Sequence, residues 1–301
     1  MQKGRVIQST GSWYLVDTGE EIVESRLPGR FRLDEKEVTN PVTVGDHVEI
    51  SVNDDGTGNI EHIDTRENYI TRQATHGKRG EQILVSNLDQ ACVVQSIKKP
   101  RLKEGFIDRF LVTCEAYEVK PVIIINKMDL AKQGGKEFAQ ELKELYTGLG
   151  YMVLLTSIED SDSLEALKEL LKDKTSAFIG PSGVGKTSLI NAVDPSYTLK
   201  TGETSDFSNK GKHTTTFAQL IPLSFGGYIA DTPGIREFGL VNIEPWELSL
   251  FFPEMLEPRE HCKFHNCTHN HEPKCGVAEA FENGDIAASR YQSYLNMLDS
   301  L

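Results

Sequence analysis

The sequence predicts a multidomain α/β protein in which a small β-barrel, a doubly wound α/β domain and a helical metal-binding domain follow one another. Short strands broken by Gly, Pro, Asn and Asp fill residues 1–70. Apolar strands alternate with amphipathic helices over residues 71–243. Residues 244–301 form mainly helical patterns around a loop rich in Cys and His. A chain of 301 residues is long enough for these three domains.

The net charge of −13 is unevenly distributed along the chain. Lys+Arg against Asp+Glu count 7 and 14 in residues 1–70, 21 and 21 in residues 71–243, and 4 and 10 in residues 244–301. An acidic chain is a poor non-specific binder of nucleic acid, because such binding depends on Lys and Arg side chains that neutralise the phosphates. Any RNA contact must therefore use local basic patches such as residues 71–80 and 98–103, which could equally be solvated loops.

The composition also bears on location. No apolar run is long enough to span a membrane, and the first residues lack the apolar core and cleavage site of a secretory signal. We therefore expect a cytoplasmic protein without a membrane partner.

The first domain is expected to be a five-stranded OB-like barrel, although a small SH3-like barrel fits nearly as well. Trp13, Tyr14, Phe31 and Arg32 could stack on or contact RNA, as residues on barrel faces often do. Aromatic residues in a barrel this small are more often part of its core.

The second domain begins with continuous apolar runs at residues 91–97 and 121–126, which are typical of buried parallel strands. Cys92 and Cys114 lie in apolar surroundings and are expected to be buried thiols. An amphipathic helix follows Ser163, which is a plausible N-cap.

A phosphate-binding loop is predicted at residues 180–188, GPSGVGKTS. An apolar strand precedes it and a helix follows, as the motif requires. The glycines let backbone N–H groups surround phosphate oxygens at a helix N-terminus, the lysine neutralises the terminal phosphates and the threonine hydroxyl can bind Mg²⁺. The candidate phosphate-binding residues are Gly180, Ser182, Gly183, Val184, Gly185, Lys186, Thr187 and Ser188, and Thr187 is also a candidate Mg²⁺ ligand.

Two further motifs suit a guanine nucleotide. Asp231, which ends a predicted strand, is a candidate to hold Mg²⁺, and the Gly234 amide could meet the γ-phosphate. In NKMD, the Asp129 carboxylate can accept hydrogen bonds from guanine N1–H and its 2-amino group. Asn126 and the aliphatic stem of Lys127 would support the base, and the backbone at Ser157 could bond guanine O6.

The order of these motifs predicts a circularly permuted P-loop GTPase domain. The base-reading motif precedes the phosphate loop, whereas the usual order is the reverse. Such a permutation preserves the sheet when the original ends are close together. The hypothesis is a guanine-nucleotide hydrolase; a nucleotide-gated adaptor and an ATPase or kinase are the alternatives, and NKMD counts against the last.

Cys262, Cys267 and Cys275 form a candidate metal site with one imidazole. Three thiolates and one imidazole suit tetrahedral Zn²⁺ in a structural role. The spacing alone leaves the imidazole open among four residues: His261, His265, His269 and His271.

The combination of NKMD, GPSGVGKTS, GKHTTT, DTPGIREFGL and the Cys/His pattern resembles the RsgA family of circularly permuted bacterial GTPases along essentially the whole chain. The resemblance implies an N-terminal OB-fold, a central permuted GTPase domain and a C-terminal zinc-bearing domain in which His269 is the fourth zinc ligand. It also implies action in late maturation of the small (30S) ribosomal subunit, contact with rRNA and ribosomal proteins, and GTP hydrolysis stimulated by the ribosome.

The group that orients the attacking water does not follow from the usual motif. Ile235 occupies the position of the glutamine that performs this task in Ras-like enzymes, and isoleucine cannot perform it. His213 is the candidate, supported by the family resemblance, although it could equally be an exposed loop residue. Thr215, with Thr214 close behind, is expected to reach Mg²⁺ and the γ-phosphate. Ser182 is a weak ligand for potassium, so potassium dependence is doubtful, and a monomer is expected.

Overall fold

The computed structural model describes residues 1–29, 41–73, 81–197, 218–231 and 243–301, and elements are numbered within these ranges. The strands are β1 (Gln2–Ser9), β2 (Tyr14–Asp17), β3 (Ile22–Arg26), β4 (His47–Val52), β5 (Gly58–Ile63), β6 (Tyr69–Gln73), β7 (Glu81–Ser86), β8 (Gln90–Ser96), β9 (Pro121–Asn126), β10 (Met152–Leu155), β11 (Thr175–Ile179), β12 (Gln219–Pro222) and β13 (Tyr228–Asp231). The helices are α1 (Glu104–Ala116), α2 (Gln133–Gly148), α3 (Ser161–Leu171), α4 (Lys186–Val193), α5 (Leu256–Arg259), α6 (Gly276–Asn283) and α7 (Ala288–Leu298).

The N-terminal strands close into a five-stranded barrel. β1 pairs antiparallel with both β2 and β4, β2 pairs with β3, β4 pairs with β5, and the parallel β3–β5 pair completes the ring. Alternate residues of β3 and β4 are buried, which is the period-2 pattern of strands with one face on a core. The closed barrel confirms the OB-like prediction.

The central sheet has the strand order β10-β9-β8-β11-β13-β12. All neighbouring pairs are parallel except β12–β13, which is an antiparallel hairpin. α1 and α2 contribute to one apolar cluster, while α3 and α4 contribute to another, so helices cover both faces of the sheet. Cys92 and Cys114 are fully buried, as predicted. The doubly wound prediction is therefore confirmed, and the carboxyl ends of the parallel strands meet along one edge.

α3 joins β10 to β11, and thereby makes the connection that the predicted permutation requires. The N-cap prediction for this helix was wrong. Asp160, not Ser163, precedes the first helical residue, and its carboxylate accepts a hydrogen bond from the Asp162 amide. The Ser163 hydroxyl lies inside the first turn and donates to the Asp160 carbonyl at 2.9 Å.

The barrel and the central sheet are joined edge to edge. β1 pairs with β12 at Gln8 and Gln219, so the two units share one eleven-stranded sheet. The Tyr228 hydroxyl also donates to the Asp17 carboxylate at 2.8 Å. β6 and β7 form a separate two-stranded hairpin, and β6 crosses residue 70, where the first domain boundary was expected. The boundaries at residues 70 and 243 stay predictions.

The C-terminal segment packs short helices around its own apolar cluster and against α1. The helical pattern before α5 forms two 3₁₀ turns, Leu248–Phe251 and Pro253–Met255, rather than one helix. The residue before a proline is pushed toward an extended backbone, and Phe252 has φ −118° and ψ 101°. Within the described ranges, every helix is too short or too polar to cross a membrane.

Candidate nucleotide site and metal centre

The phosphate loop connects β11 to α4 at the carboxyl edge of the sheet. Gly185 has φ +97°, and a Cβ there would lie 2.5 Å from Asn126 Nδ2. A Cβ at Gly180 would lie 2.2 Å from the Val94 carbonyl oxygen. Both positions therefore require glycine, because a side chain would collide with the neighbouring strand or with the base-reading loop.

Lys186 closes this loop on itself. Its ammonium donates to the carbonyl oxygens of Gly180 at 2.8 Å and Pro181 at 3.0 Å. Thr187 and Ser188 are exposed in the first turn of α4, where backbone N–H groups point out of the helix. The arrangement offers an anion both a cation and free amide donors.

Asn126 ties the base-reading loop to the phosphate loop. It is the last residue of β9, is 2% exposed, and its Nδ2 donates to the Val184 carbonyl at 2.9 Å. Its Oδ1 accepts a hydrogen bond from the Thr156 hydroxyl at 3.1 Å. Loops from three parallel strands, β9, β10 and β11, are thereby held together. The role of Thr156 was not predicted, although its place beside Ser157 at a strand end was a usable signal.

Lys127 and Asp129 of the NKMD motif follow Asn126 at the same edge of the sheet. Lys127 has φ +63°, and its ammonium donates to the carbonyls of Gly183 and, at 2.7 Å, Lys99. Asp129 is exposed, and its Oδ1 accepts a hydrogen bond from the hydroxyl of the buried Ser157 at 2.8 Å. The structure thus brings Asp129 and Ser157 together through the Ser157 hydroxyl, a contact that was not predicted. The bond from the Ser157 backbone to guanine O6 stays a prediction.

Asp231 ends β13, the strand beside β11, with Ala230 opposite Ala177. Its carboxylate is exposed at the edge that carries the phosphate loop, and the Gln219 amide lies 3.4 Å from it. Thr187 and Asp231 therefore sit on neighbouring elements, as candidate Mg²⁺ ligands must. The predictions for His213, Thr214, Thr215 and Gly234 lie outside the described residues, as do those for Phe31 and Arg32.

The predicted metal ligands converge in the C-terminal segment. One ligand atom from each of Cys262, Cys267, His269 and Cys275 lies within 4.8 Å of all the others. The Cys262 and Cys275 sulfurs are 3.8 Å apart, and His269 Nδ1 is 3.4 Å and 3.3 Å from them. Zn–S bonds of about 2.3 Å in a tetrahedron require sulfur separations of about 3.8 Å, so a zinc ion fits this cluster.

Burial favours the neutral forms of three groups in the cluster. Burial raises the pKa of the Cys267 thiol to about 12, and burial likewise raises the pKa of Cys275. Burial, with Arg259 nearby, lowers the pKa of His269 to about 4, so the imidazole is neutral and can act as a ligand. A divalent cation would stabilise the thiolates that burial alone disfavours.

His269 is the histidine that faces the thiols. It is buried, its Nδ1 points into the cluster, and its Nε2 lies 3.0 Å from the Ser249 hydroxyl. A partner on the second ring nitrogen orients the imidazole, as in many zinc sites. The rivals His261, His265 and His271 are all exposed, and His261 pairs with Glu257 at 3.1 Å.

Comparison with known proteins supplies the family. The model of the RsgA GTPase family matches residues 63–241, and that of the RsgA N-terminal domain matches residues 3–60. The chain belongs to the RsgA GTPase family. This confirms the resemblance seen in the motifs and places the chain in the class of GTP hydrolases.

Other RsgA proteins resemble the chain over nearly its full length. "Small ribosomal subunit biogenesis GTPase RsgA" of Phocaeicola vulgatus is 46% identical over 298 residues, covering 99% of this chain and 96% of that protein. The protein of the same name from Flavobacterium johnsoniae is 43% identical over 300 residues, covering 98% and 92%.

Two solved structures of RsgA relatives share the fold. YjeQ from Thermotoga maritima has a TM-score of 0.82 at 38% identity, with 100% of this chain and 98% of that one covered. YloQ, described as a circularly permuted GTPase, has a TM-score of 0.78 at 34% identity, with 100% and 94% covered. These likenesses confirm the predicted permutation.

Proposed function

We propose that this protein hydrolyses GTP to GDP and phosphate during late maturation of the small (30S) ribosomal subunit, and that the ribosome stimulates hydrolysis. The observation that carries the proposal is the hydrogen bond from Asn126 of the base-reading loop to Val184 of the phosphate loop. This bond joins the loop that carries Asp129, the proposed guanine-reading carboxylate, to the loop that carries Lys186, the proposed phosphate-binding ammonium.

Within this proposal each element of the site has a separate task. Asp129 accepts the guanine N1–H and 2-amino hydrogen bonds, and Ser157 holds that carboxylate through its hydroxyl. Lys127 covers the base with its aliphatic stem while its ammonium stays on the phosphate loop. Lys186 and the backbone N–H groups of residues 182–188 bind the phosphates, since a helix N-terminus favours an anion.

Mg²⁺ enters the site with GTP. Thr187 and Asp231 would hold it, since both are exposed and lie at the carboxyl ends of the neighbouring strands β11 and β13, in the first turn of α4 and at the last residue of β13; the ion would neutralise charge on the phosphates. The Gly234 amide, Thr214 and Thr215 are proposed to contact the γ-phosphate or the ion. His213 is proposed to orient the attacking water.

The partner follows from the family. The relatives in Phocaeicola and Flavobacterium are named for biogenesis of the small ribosomal subunit, and the chain matches them over 98–99% of its length. We propose the same partner here, met by a monomer in the cytoplasm. The zinc is proposed to be structural, because four protein ligands leave no open position for catalysis.

The proposal is tested by measuring phosphate release with and without purified small ribosomal subunits. GTP should be hydrolysed slowly alone and at least about tenfold faster with subunits, and ATP should not compete. Equal competition by ATP would overturn the guanine assignment. Binding to subunits with the GTP form but no stimulated turnover would instead indicate a nucleotide-gated adaptor.

A further inference from the structure

The loop between β8 and α1 lies directly against the phosphate loop. The Lys99 carbonyl accepts a hydrogen bond from the Lys127 ammonium, which also bonds the Gly183 carbonyl of the phosphate loop. The Pro100 ring lies 3.8 Å from the position of a Cβ on Gly183. Nothing in the sequence places this loop in the nucleotide site.

The loop is anchored to the domain on its inner side and carries positive charge on its solvent-exposed side. The Ser96 hydroxyl donates to the Pro100 carbonyl at 2.7 Å, and the Leu102 side chain is buried in the main apolar cluster. Its four basic side chains are all exposed. The basic loop, residues 98–103, consists of Lys98, Lys99, Pro100, Arg101, Leu102 and Lys103.

Among the described residues, these cations have no acidic partners. In the part of the chain that the structure describes, none of the four basic side chains makes an ion pair or a side-chain hydrogen bond. Glu104 follows at the start of α1 and is the one acidic residue adjoining the loop in sequence. Four unpaired cations on one six-residue loop contrast with the net charge of −13 for the whole chain.

We propose that the basic loop binds the phosphate backbone of RNA and transmits that contact to the phosphate loop. The proposal rests on the proposed function, since the RNA is that of the small ribosomal subunit. A bound nucleotide already has Lys186 and the helix amides for its phosphates, and one nucleotide cannot occupy four further cations. A strand of RNA, with a charge at each nucleotide, can occupy them.

The contact has a direct route to the nucleotide. RNA drawn onto Lys98 and Arg101 would press on the segment between them, in which Pro100 lies beside Gly183 and the Lys99 carbonyl accepts a hydrogen bond from Lys127. A shift of that segment therefore moves two groups of the nucleotide site at once. The acidic remainder of the chain would keep RNA away from other surfaces, so the contact is local.

The test compares two double variants with the wild type. Lys98→Gln with Arg101→Gln removes two charges from the basic loop while leaving the Lys99 and Pro100 contacts intact. Lys120→Gln with Lys172→Gln is the matched control, because both lysines are exposed and precede β9 and β11 at the opposite edge of the same sheet. Binding to small subunits is measured by co-sedimentation with a non-hydrolysable GTP analogue at several salt concentrations, alongside GTP affinity and stimulated turnover.

The loop variant should bind subunits at least about tenfold more weakly, with a log–log salt slope lower by about 0.7–0.9 per lost phosphate contact. Its stimulated turnover should fall, while its GTP affinity and the control variant should stay at wild-type values. Unchanged subunit binding by the loop variant, or an equal loss in the control, overturns the inference. Loss of GTP affinity without loss of subunit binding assigns the loop to the nucleotide and also overturns it. Failure of the wild type to bind subunits overturns the proposed function itself.

Discussion

The Arg290 guanidinium of α7 forms a buried ion pair with the Asp108 carboxylate of α1, with Nη1 and Oδ1 2.6 Å apart. A second carboxylate, Glu254, accepts from Arg290 Nε at 2.6 Å, and Tyr146 donates to Asp108 at 2.7 Å. The segment that carries the Cys/His cluster is thus attached to α1 of the central domain by charges that are buried away from water. The neighbouring carboxylates hold the pKa of Arg290 above its usual value, despite burial, so the cation persists.

Arg290→Met should lower the free energy of unfolding by about 3–5 kcal/mol, because it leaves two buried carboxylates without their cation. Urea denaturation followed by circular dichroism measures the change. Arg109→Met is the control, since Arg109 makes one exposed hydrogen bond, to Ser300, and should cost less than about 1 kcal/mol. Similar losses of unfolding free energy for both variants would show that the buried ion pair stabilises the protein no more than an exposed hydrogen bond does.

Asp129→Asn should weaken GTP binding by about 10- to 100-fold, since an amide cannot accept both guanine hydrogen bonds and the loss is about 1–3 kcal/mol. Xanthosine triphosphate, which presents an oxygen where guanine has its amine, should gain affinity. Competition binding against both nucleotides measures the switch. Asp162→Asn, on the exposed first turn of α3, should change neither affinity. Undiminished preference for GTP in the Asp129 variant would remove this carboxylate from the base site.

Gly185→Ala should weaken nucleotide binding by at least about tenfold. The new Cβ would lie 2.5 Å from the Asn126 amide that bonds Val184, and a side chain at φ +97° costs about 1–2 kcal/mol. Gly134→Ala, within α2 and with open space around its Cβ, should leave binding intact and stability unchanged or slightly raised. Nucleotide titration of both variants measures the difference, and equal affinities would contradict the proposed link between the two loops.

His269→Ala should lose zinc and lower the melting temperature, because the site would keep only three ligands. His265→Ala should keep one zinc per chain, since His265 is exposed outside the ligand cluster. Metal analysis of the purified proteins, with thermal unfolding before and after chelation, checks both. Retention of zinc by His269→Ala, with its loss in His265→Ala, would mean that the ring nearest the thiols is not the ligand.

The sequence carries the local features of this fold well. The apolar runs at β8 and β9 predicted buried parallel strands. The structure confirms this, since every residue of β8 and five of six in β9 are buried. The choice between an OB-like and an SH3-like barrel was out of reach, since it depends on the pairing of β3 with β5 across the chain.

The site shows the same division between local and distant information. The phosphate and guanine motifs were recognised because their chemistry is contained in a few consecutive residues. The histidine of the candidate metal cluster could not be selected by spacing, because the choice depends on a left-handed turn at His269, with φ +55°, and on burial against Ser249. The approach of Pro100 to Gly183 brings together segments about eighty residues apart in sequence. A local sequence pattern could not predict it.

Because Gln8 of β1 pairs with Gln219 of β12, the barrel also covers the β12 edge of the central sheet. β12 is the last strand of the GTPase sheet, and without β1 beside it its backbone N–H and C=O groups would be open to strands of other molecules. A fragment that starts after the barrel would expose this border and would also lose Ile7 and Val44 from its main apolar cluster, so we expect it to self-associate.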